Sequence, residues 1–227
     1  MRFSKEHTAS FLAVLFHACG AIGILCTPYR EWFIRSTPFN LLLMTLLLVW
    51  NQKEKTVRFF LFLGLSFCTG MFTEMLGVHT GWLFGNYVYG DAMGWKWNGV
   101  PLLIGLNWFL ILFCCGSVIT RLTEWVREKA AAEGRVLPER LAKISFVLDG
   151  ALLAVCFDWL MEPVAAKLGF WQWEHDDIPF YNYASWFLIS LVLLVVLRIF
   201  SFKHTNHFAV HLFIIQALFF LALRTFL

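Results

Sequence analysis

Charged residues are scarce in this sequence, and several signatures of soluble enzymes are missing from it. Asp, Glu, Lys and Arg make up 15% of the 227 residues, against about 25% in soluble domains. Neither a GxGxxG motif nor a P-loop occurs, so no nucleotide-binding signature is present. The formal net charge of +3, without a basic cluster interleaved with aromatic residues, argues against nucleic acid as a partner.

The six cysteines form no redox or metal motif. None belongs to a CxxC pair, and most lie inside apolar runs, where cysteine usually behaves as a small buried hydrophobic residue. We therefore expect no disulfide framework. The first apolar run lacks a small-residue cleavage site, which predicts a retained span instead of a signal peptide.

Hydrophobic residues make up 59% of the chain, which contains 25 Phe and 11 Trp. Apolar runs of about 20 residues predict transmembrane helices. The predicted spans are 10–26, 32–50, 57–75, 100–120, 141–163, 183–202 and 206–226. The sequence thus predicts an all-α polytopic membrane protein of about seven transmembrane helices, forming one integral-membrane domain over residues 1–227. The second span is the weakest, because Arg35 and Pro38 interrupt it.

Lys and Arg are unevenly divided between the two sides that these crossings define. One side holds 13 of the 18 basic residues, and the other side holds the remaining 5. The smaller set is Arg30, Arg35, Lys96, Lys167 and Arg224. Because basic residues favour the cytoplasmic side, we expect a multi-pass protein of the plasma membrane with its N-terminus in the cytoplasm.

The two long connections on the outer side, 77–99 and 165–182, are rich in aromatic residues and glycine. An interfacial aromatic belt is one explanation. Long stretches punctuated by glycine instead favour a lid-like or re-entrant structure that lines a site, because irregular backbone at membrane depth requires protein or a cavity around it.

An internal repeat links these two connections. Glu74 and Glu162 each precede a glycine by seven residues, and Pro101 and Pro179 each precede a Trp-Phe pair by seven residues. The third and fourth spans would then match the fifth and sixth, as a parallel two-helix repeat with its axis along the membrane normal. On this hypothesis the two glutamates face each other; a chance match in an aromatic-rich sequence is the alternative.

Four carboxylates lie within or at the ends of predicted spans: Glu74, Asp149, Asp158 and Glu162. Ionisable groups are costly there unless paired or hydrated, so each is a candidate functional residue. Asp158 and Glu162 share one helix face, and Glu74 ends a span on the same side. Repulsion and partial burial favour a neutral, protonated form of at least one of them. Interfacial or structural roles are the alternative, above all for Asp149.

A histidine cluster, His204, His207 and His211, stands at the head of the last span. Its spacing is similar to that of the histidine boxes of membrane di-iron oxidases. Such enzymes need several boxes, and the carboxylates are expected at the opposite membrane face. We therefore interpret the cluster as histidines at a cytoplasmic helix end and expect no metal site.

Several short motifs lie between about residues 73 and 186: Glu74-Met-Leu-Gly, Thr80-Gly-Trp-Leu-Phe-Gly-Asn-Tyr-Val-Tyr, Gly99-Val-Pro, Asp158-Trp-Leu-Met-Glu-Pro and Gly169-Phe-Trp-Gln-Trp. Together they resemble the membrane carotenoid-biosynthesis family of the acyclic carotenoid 1,2-hydratase and bisanhydrobacterioruberin hydratase type. The resemblance implies water addition to the terminal C1=C2 bond of an acyclic end group, giving a tertiary alcohol. It implies no cofactor, with a long polyene lipid and water as partners.

The residues present are compatible with this chemistry. A protonated carboxyl can supply a proton, and aromatic faces can stabilise a carbocation. Asp158 or Glu74 is the expected proton donor, with Glu162 as its electrostatic neighbour. The residues expected to bind substrate are Trp82, Phe84, Tyr87, Tyr89, Trp108, Asp149, Trp171, Trp173 and Asn182.

Three other functions stay open at this point. An isomerase-type lycopene cyclase would share the protonation step and then close a ring. A small-molecule transporter would use the parallel repeat and its acidic residues as a pathway. A histidine-box oxidase would require iron and oxygen.

Overall fold

The structure is a computed structural model that describes residues 4–200, 202 and 206–227. The helices are α1 (Lys5–Cys26), α2 (Arg30–Arg35), α3 (Thr37–Asn51), α4 (Val57–Thr80), α5 (Leu102–Ala132), α6 (Glu139–Lys167), α7 (Phe180–Ile199) and α8 (His207–Phe226). Within this described part, six helices are long and apolar enough to cross a bilayer, namely all except α2 and α3. The predicted all-α polytopic membrane architecture is therefore confirmed.

The second predicted span, 32–50, is divided in the structure. It consists of α2 and α3, which meet at Ser36. Pro38 lies in the first turn of α3, where its missing N–H costs no hydrogen bond, but it cannot continue the preceding helix. α3 has 15 residues. A helix of that length rises about 22 Å, against about 30 Å for the hydrocarbon core of a bilayer, so this passage is shorter than the other six.

Contacts at the helix ends show that successive passages run in opposite directions. Ser10 in α1 hydrogen-bonds His211 in α8 at 2.9 Å, so these helices start at the same end of the bundle. The Asn206 amide, at the start of α8, donates to the Leu48 carbonyl near the end of α3 at 3.2 Å. We call this end, which carries most of the Lys and Arg residues, the basic face. The opposite end, with the connections α4–α5 and α6–α7, is the loop face.

Two short antiparallel ladders organise the loop face. The strands are β1 (Tyr87–Tyr89), β2 (Lys96–Trp97), β3 (Val100–Pro101) and β4 (Trp171–Trp173). β1 pairs with β4, with Val88 opposite Gln172, and β2 pairs with β3. Because β1 belongs to the first connection and β4 to the second, the two connections form one structure.

The predicted repeat is visible in the ends of its helices. α4 is capped by Gly81, and Gly169 follows the end of α6; both have a φ of 70°. Glycine adopts this left-handed conformation without strain. α5 and α7 each begin directly after a proline, Pro101 and Pro179. The units α4–α5 and α6–α7 therefore share their turns and their direction, as a parallel repeat requires.

α5 lies at the centre of the bundle and contacts α3, α4, α6, α7 and α8. Its buried face packs the rings of Phe109 and Phe113 against Phe59 of α4. This packing fixes the position of α5 against α4, and with it the position of the site described next.

Candidate active site

Three buried carboxyl groups meet near the loop face. Glu74 in α4 is 5% exposed, and Asp158 and Glu162 in α6 are 0% and 4% exposed. Asp158 and Glu162 lie about one helical turn apart, and Glu74 is close enough to interact electrostatically with both. The structure thus brings together the three carboxyls that were expected from the sequence.

The Glu74 carboxyl accepts hydrogen bonds from three aromatic side chains. Its Oε2 accepts from the hydroxyls of Tyr87 at 2.5 Å and Tyr89 at 2.7 Å. Its Oε1 accepts from the indole N–H of Trp108 at 3.0 Å. Such a set of donors suits an ionised carboxylate, which can only accept hydrogen bonds.

The two tyrosines are donors because they keep their protons. Burial, and then the neighbouring Glu74 carboxylate, raise the pKa of Tyr87 and of Tyr89 well above the ordinary value. Both hydroxyls therefore stay neutral at any physiological pH, and both can donate to Glu74.

Two glycines on α4 allow these rings to approach Glu74. A Cβ at Gly70 would lie 2.5 Å from Cδ1 of Trp108, and a Cβ at Gly77 would lie 3.0 Å from the Tyr87 hydroxyl. Gly70, Glu74 and Gly77 occupy one face of the helix. A larger residue at either position would displace a donor from the carboxylate.

Glu162 is held in a similar way by the second connection. Its Oε2 accepts from the indole N–H groups of Trp171 and Trp173, both at 2.9 Å. Alternate residues of a strand face the same side, so the two indoles project together from β4, as Tyr87 and Tyr89 do from β1. The β1–β4 ladder therefore supplies donors to both glutamates.

Asp158 has a different environment. Its Oδ2 accepts from the Asn182 amide at 3.0 Å, and its carboxyl also shares a hydrogen bond with the Glu162 carboxyl. Unlike the two glutamates, Asp158 does not line the small cavity described below, and it does not line the large cavity beside it.

A small cavity of about 20 Å³ is lined by both glutamates. A single water molecule needs roughly 10–15 Å³, so one water fits. The indoles of Trp108 and Trp186, which are equivalent residues of the repeat, stack at this cavity with their centroids 3.9 Å apart. The lining residues are Glu74, Phe84, Tyr87, Tyr89, Ile104, Asn107, Trp108, Met161, Glu162, Trp171, Trp173, Asn182 and Trp186.

A much larger, mainly apolar cavity of about 620 Å³ adjoins the small one. Its walls come from α1, α2, α3, α5, α6 and α8 together with the loop face. Ile104, Asn107, Met161 and Trp171 line both cavities, so they form the boundary between them.

Most side chains expected to bind substrate line the small cavity, but two do not. Trp82 is 71% exposed, because α4 ends at Gly81 and Trp82 falls on the surface of the connection. Asp149 is exposed and accepts a hydrogen bond from Ser145 of its own helix. It lies about 20 Å along α6 from Glu162, towards the basic face. For these two residues the geometry does not agree with the sequence-based expectation.

Asn107 and Trp186 line the small cavity but were not among the expected residues. Asn107 is a polar side chain within an apolar run of α5, which is a usable signal in a membrane protein. Trp186 is recognisable as the repeat partner of Trp108. No feature of the sequence indicates the large cavity, because its wall is formed by residues from six helices that are far apart in the chain.

No group of three or more His, Cys, Asp and Glu side chains arranged to hold a metal ion occurs in the described residues. His204 of the histidine cluster lies outside them.

Comparisons with known proteins relate the sequence to one family. A family model described as "Carotenoid biosynthesis protein" matches residues 36–227. The bisanhydrobacterioruberin hydratase of Haloarcula japonica is 26% identical over 208 residues, which cover 86% of this chain. The chain spans 66% of the length of that relative. No solved structure is significantly similar to this chain.

Proposed function

The chain belongs to the carotenoid biosynthesis protein family, and from that premise we propose that it is a hydratase acting on an acyclic carotenoid end group. Water is added to the terminal C1=C2 bond and a tertiary alcohol results, which is the reaction of a hydro-lyase. One observation carries the proposal: two buried glutamates, framed by aromatic donors, line a water-sized cavity next to a large apolar cavity. Similarity to a relative named as a hydratase supports it.

The large cavity suits one end of a polyene. A cavity of about 150 Å³ holds one benzene molecule, so 620 Å³ holds about four groups of that size. A whole carotenoid is larger, and the remainder of the chain would extend into the bilayer. Phe16, Trp32 and Phe39 at the cavity are 45%, 64% and 76% exposed on the bundle surface. A polyene would therefore enter sideways from lipid, past α1 and the α2–α3 break.

Glu162 is the carboxyl best placed to protonate the alkene. It lines the small cavity, and Met161 beside it forms part of the boundary with the large one. Both indole hydrogen bonds that it accepts fall on Oε2, and the neighbouring Asp158 carboxyl is hydrogen-bonded to it, so the pair can hold a transferable proton at the cavity. The sequence favoured Asp158 or Glu74 as the donor. The geometry favours Glu162 instead, because Asp158 lines neither the small nor the large cavity and both oxygens of Glu74 already accept hydrogen bonds.

The reaction balances within this set of groups. Glu162 transfers its proton to C2, and a tertiary carbocation forms at C1. The faces of neighbouring rings such as Trp108 and Tyr87 stabilise the cation, as does the Glu74 carboxylate. Water then forms the C–O bond at C1 and releases one proton to the Glu162 carboxylate, which restores the acid. Asp158 is a positioning residue that acts through Glu162.

The product distinguishes this function from its alternatives. We expect an acyclic carotenoid to gain the mass of one water in a carotenoid-producing bacterial host that expresses this chain. Mass spectrometry of the extracted pigments measures this gain, with an empty-vector strain as control. An unchanged mass with altered absorption would indicate a cyclase, and unaltered pigments would contradict pigment chemistry and favour transport.

The orientation in the membrane has its own test. We propose that the basic face is cytoplasmic and that the protein lies in the cell membrane, because of the uneven distribution of Lys and Arg. Alkaline phosphatase fused after Leu227 is then expected to be active, and a fluorescent protein inserted after Gly134, between α5 and α6, is expected to fluoresce. Inactive phosphatase together with a dark Gly134 fusion would reverse the orientation. If the Gly134 fusion and a C-terminal fluorescent protein both fluoresce, the number of crossings is even and the α2–α3 passage does not cross.

A further inference from the structure

We propose that the small cavity is the binding site of the attacking water and that Asn107 is the side chain that orients this water. The inference rests on the proposed hydratase function and adds the co-substrate site to it.

Asn107 has a position that no other amide in the described part of the chain shares. It lies in α5 next to Trp108, and it lines both the water-sized cavity and the large apolar cavity. Its side-chain amide makes no hydrogen bond to any of the described residues. Asn107 is half-buried, and a cavity-lining amide without a partner forgoes the hydrogen bonds that it would make in water. A polar molecule in the cavity would satisfy it.

The cavity has the size and the polar groups that a single water requires. Its volume of about 20 Å³ admits one water. A buried water makes two to four hydrogen bonds. Asn107 can donate to the water oxygen and accept from it, and Oε1 of Glu162 accepts none of the hydrogen bonds from the neighbouring indoles. Oε1 of Glu74 accepts a single bond, from Trp108, and keeps a second acceptor direction.

The boundary position of Asn107 decides what happens to the cation. An alkene end that arrives through the large cavity meets the small cavity at Asn107 and Met161. A water held there lies beside C1 when the cation forms. The water oxygen forms a bond to C1, and the proton it loses returns to Glu162. Without a positioned water, the cation instead loses a proton to Glu162 and reverts to an alkene.

The competition between capture of the cation by water and loss of a proton from it can be measured in heavy water. The purified protein is reconstituted in lipid vesicles with an acyclic carotenoid in D₂O. Each protonation then places deuterium at C2, and a cation that reverts keeps this deuterium when a protium leaves instead, from C2 or from a methyl group on C1. Wild-type protein is expected to give mainly deuterated alcohol, and Asn107→Leu is expected to lower the ratio of alcohol to deuterated alkene about tenfold, the equivalent of one lost hydrogen bond.

Asn51→Leu is the matched control. The Asn51 amide lies at the basic-face end of α3, away from both cavities, and donates to the Leu47 carbonyl at 2.8 Å. The ratio should stay at its wild-type value in this variant. Because the ratio compares two products of the same folded molecules, poor accumulation of Asn107→Leu does not affect it. Asn107→Val is a second variant that removes the amide with a smaller, differently shaped side chain.

An unchanged ratio in both Asn107 variants would overturn the role of Asn107 while the hydratase function stands. If the amounts of both products fall equally, Asn107 acts in proton delivery or in folding. If neither amount changes, Asn107 has no part in the reaction. Wild-type protein that forms neither product would refute the hydratase function itself, and the two failures are therefore distinguishable.

Discussion

Glu162→Gln is expected to lower the hydration rate by about 10²–10⁴-fold, the usual contribution of a general acid. Glutamine keeps the size of the side chain, and its oxygen can still accept from Trp171 and Trp173. It has no proton of suitable acidity to transfer to C2. Alcohol and deuterated alkene should therefore fall together in D₂O, while the amount of folded protein in the membrane changes little.

Asp149→Asn is the control for this substitution. It replaces a carboxyl by an amide on the same helix, but at an exposed position outside both cavities, and its activity should equal that of the wild type. Asp158→Asn tests the competing assignment. If it abolishes deuterium incorporation while Glu162→Gln retains it, the proton donor is Asp158, as the sequence first suggested, and the cavity must open towards it during turnover.

Glu74→Gln is expected to lower hydration by about 10²–10³-fold, a loss typical of removing one electrostatic group that stabilises a transition state. The Glu74 carboxylate lines the cavity beside which the cation is proposed to form. The substitution should also reduce thermal stability. Three donors converge on the two oxygens of Glu74, and a glutamine offers only one oxygen. A buried donor left without an acceptor costs about 1–3 kcal/mol.

Tyr89→Phe separates the effect on thermal stability from the effect on the hydration rate. It removes one hydroxyl that donates to Glu74 at 2.7 Å and leaves the carboxylate in place. We expect a loss of about 1 kcal/mol in stability, with turnover per folded molecule close to that of the wild type. Melting in detergent and product formation by the folded fraction measure these quantities. If Glu74→Gln destabilises the protein but its folded fraction hydrates normally, Glu74 has only a structural role.

The paired strands explain why the repeat matters for this site. β1 lies in the connection that follows Glu74, and β4 lies in the connection that follows Glu162. By pairing, they place tyrosine hydroxyls and tryptophan indoles side by side above the two glutamates. The repeat thus presents two similar carboxyl sites to one cavity. The different donors, two phenols against two indoles, give the glutamates different surroundings and permit different roles.

The sequence alone predicted which segments lie in lipid and which lie in water. Long apolar runs without charge cannot remain in water, and a carboxyl within such a run needs a local partner. This reasoning located six of the passages, the three carboxyls at the site and the repeat. It also pointed to the division at Pro38, because proline is favoured in the first turn of a helix and disfavoured in its interior.

The cavities, and the roles of individual residues around them, were decided only by the tertiary structure. In lipid nearly every helix face is apolar, so the pattern of hydrophobic residues does not reveal which faces contact each other. The position of Asp158 behind Glu162, the outward direction of Trp82 and the boundary position of Asn107 all depend on how α4, α5 and α6 pack. The donors of Glu74 and Glu162 depend on the pairing of two strands about 84 residues apart in the chain. Such pairing is a property of the assembled bundle and not of either segment alone.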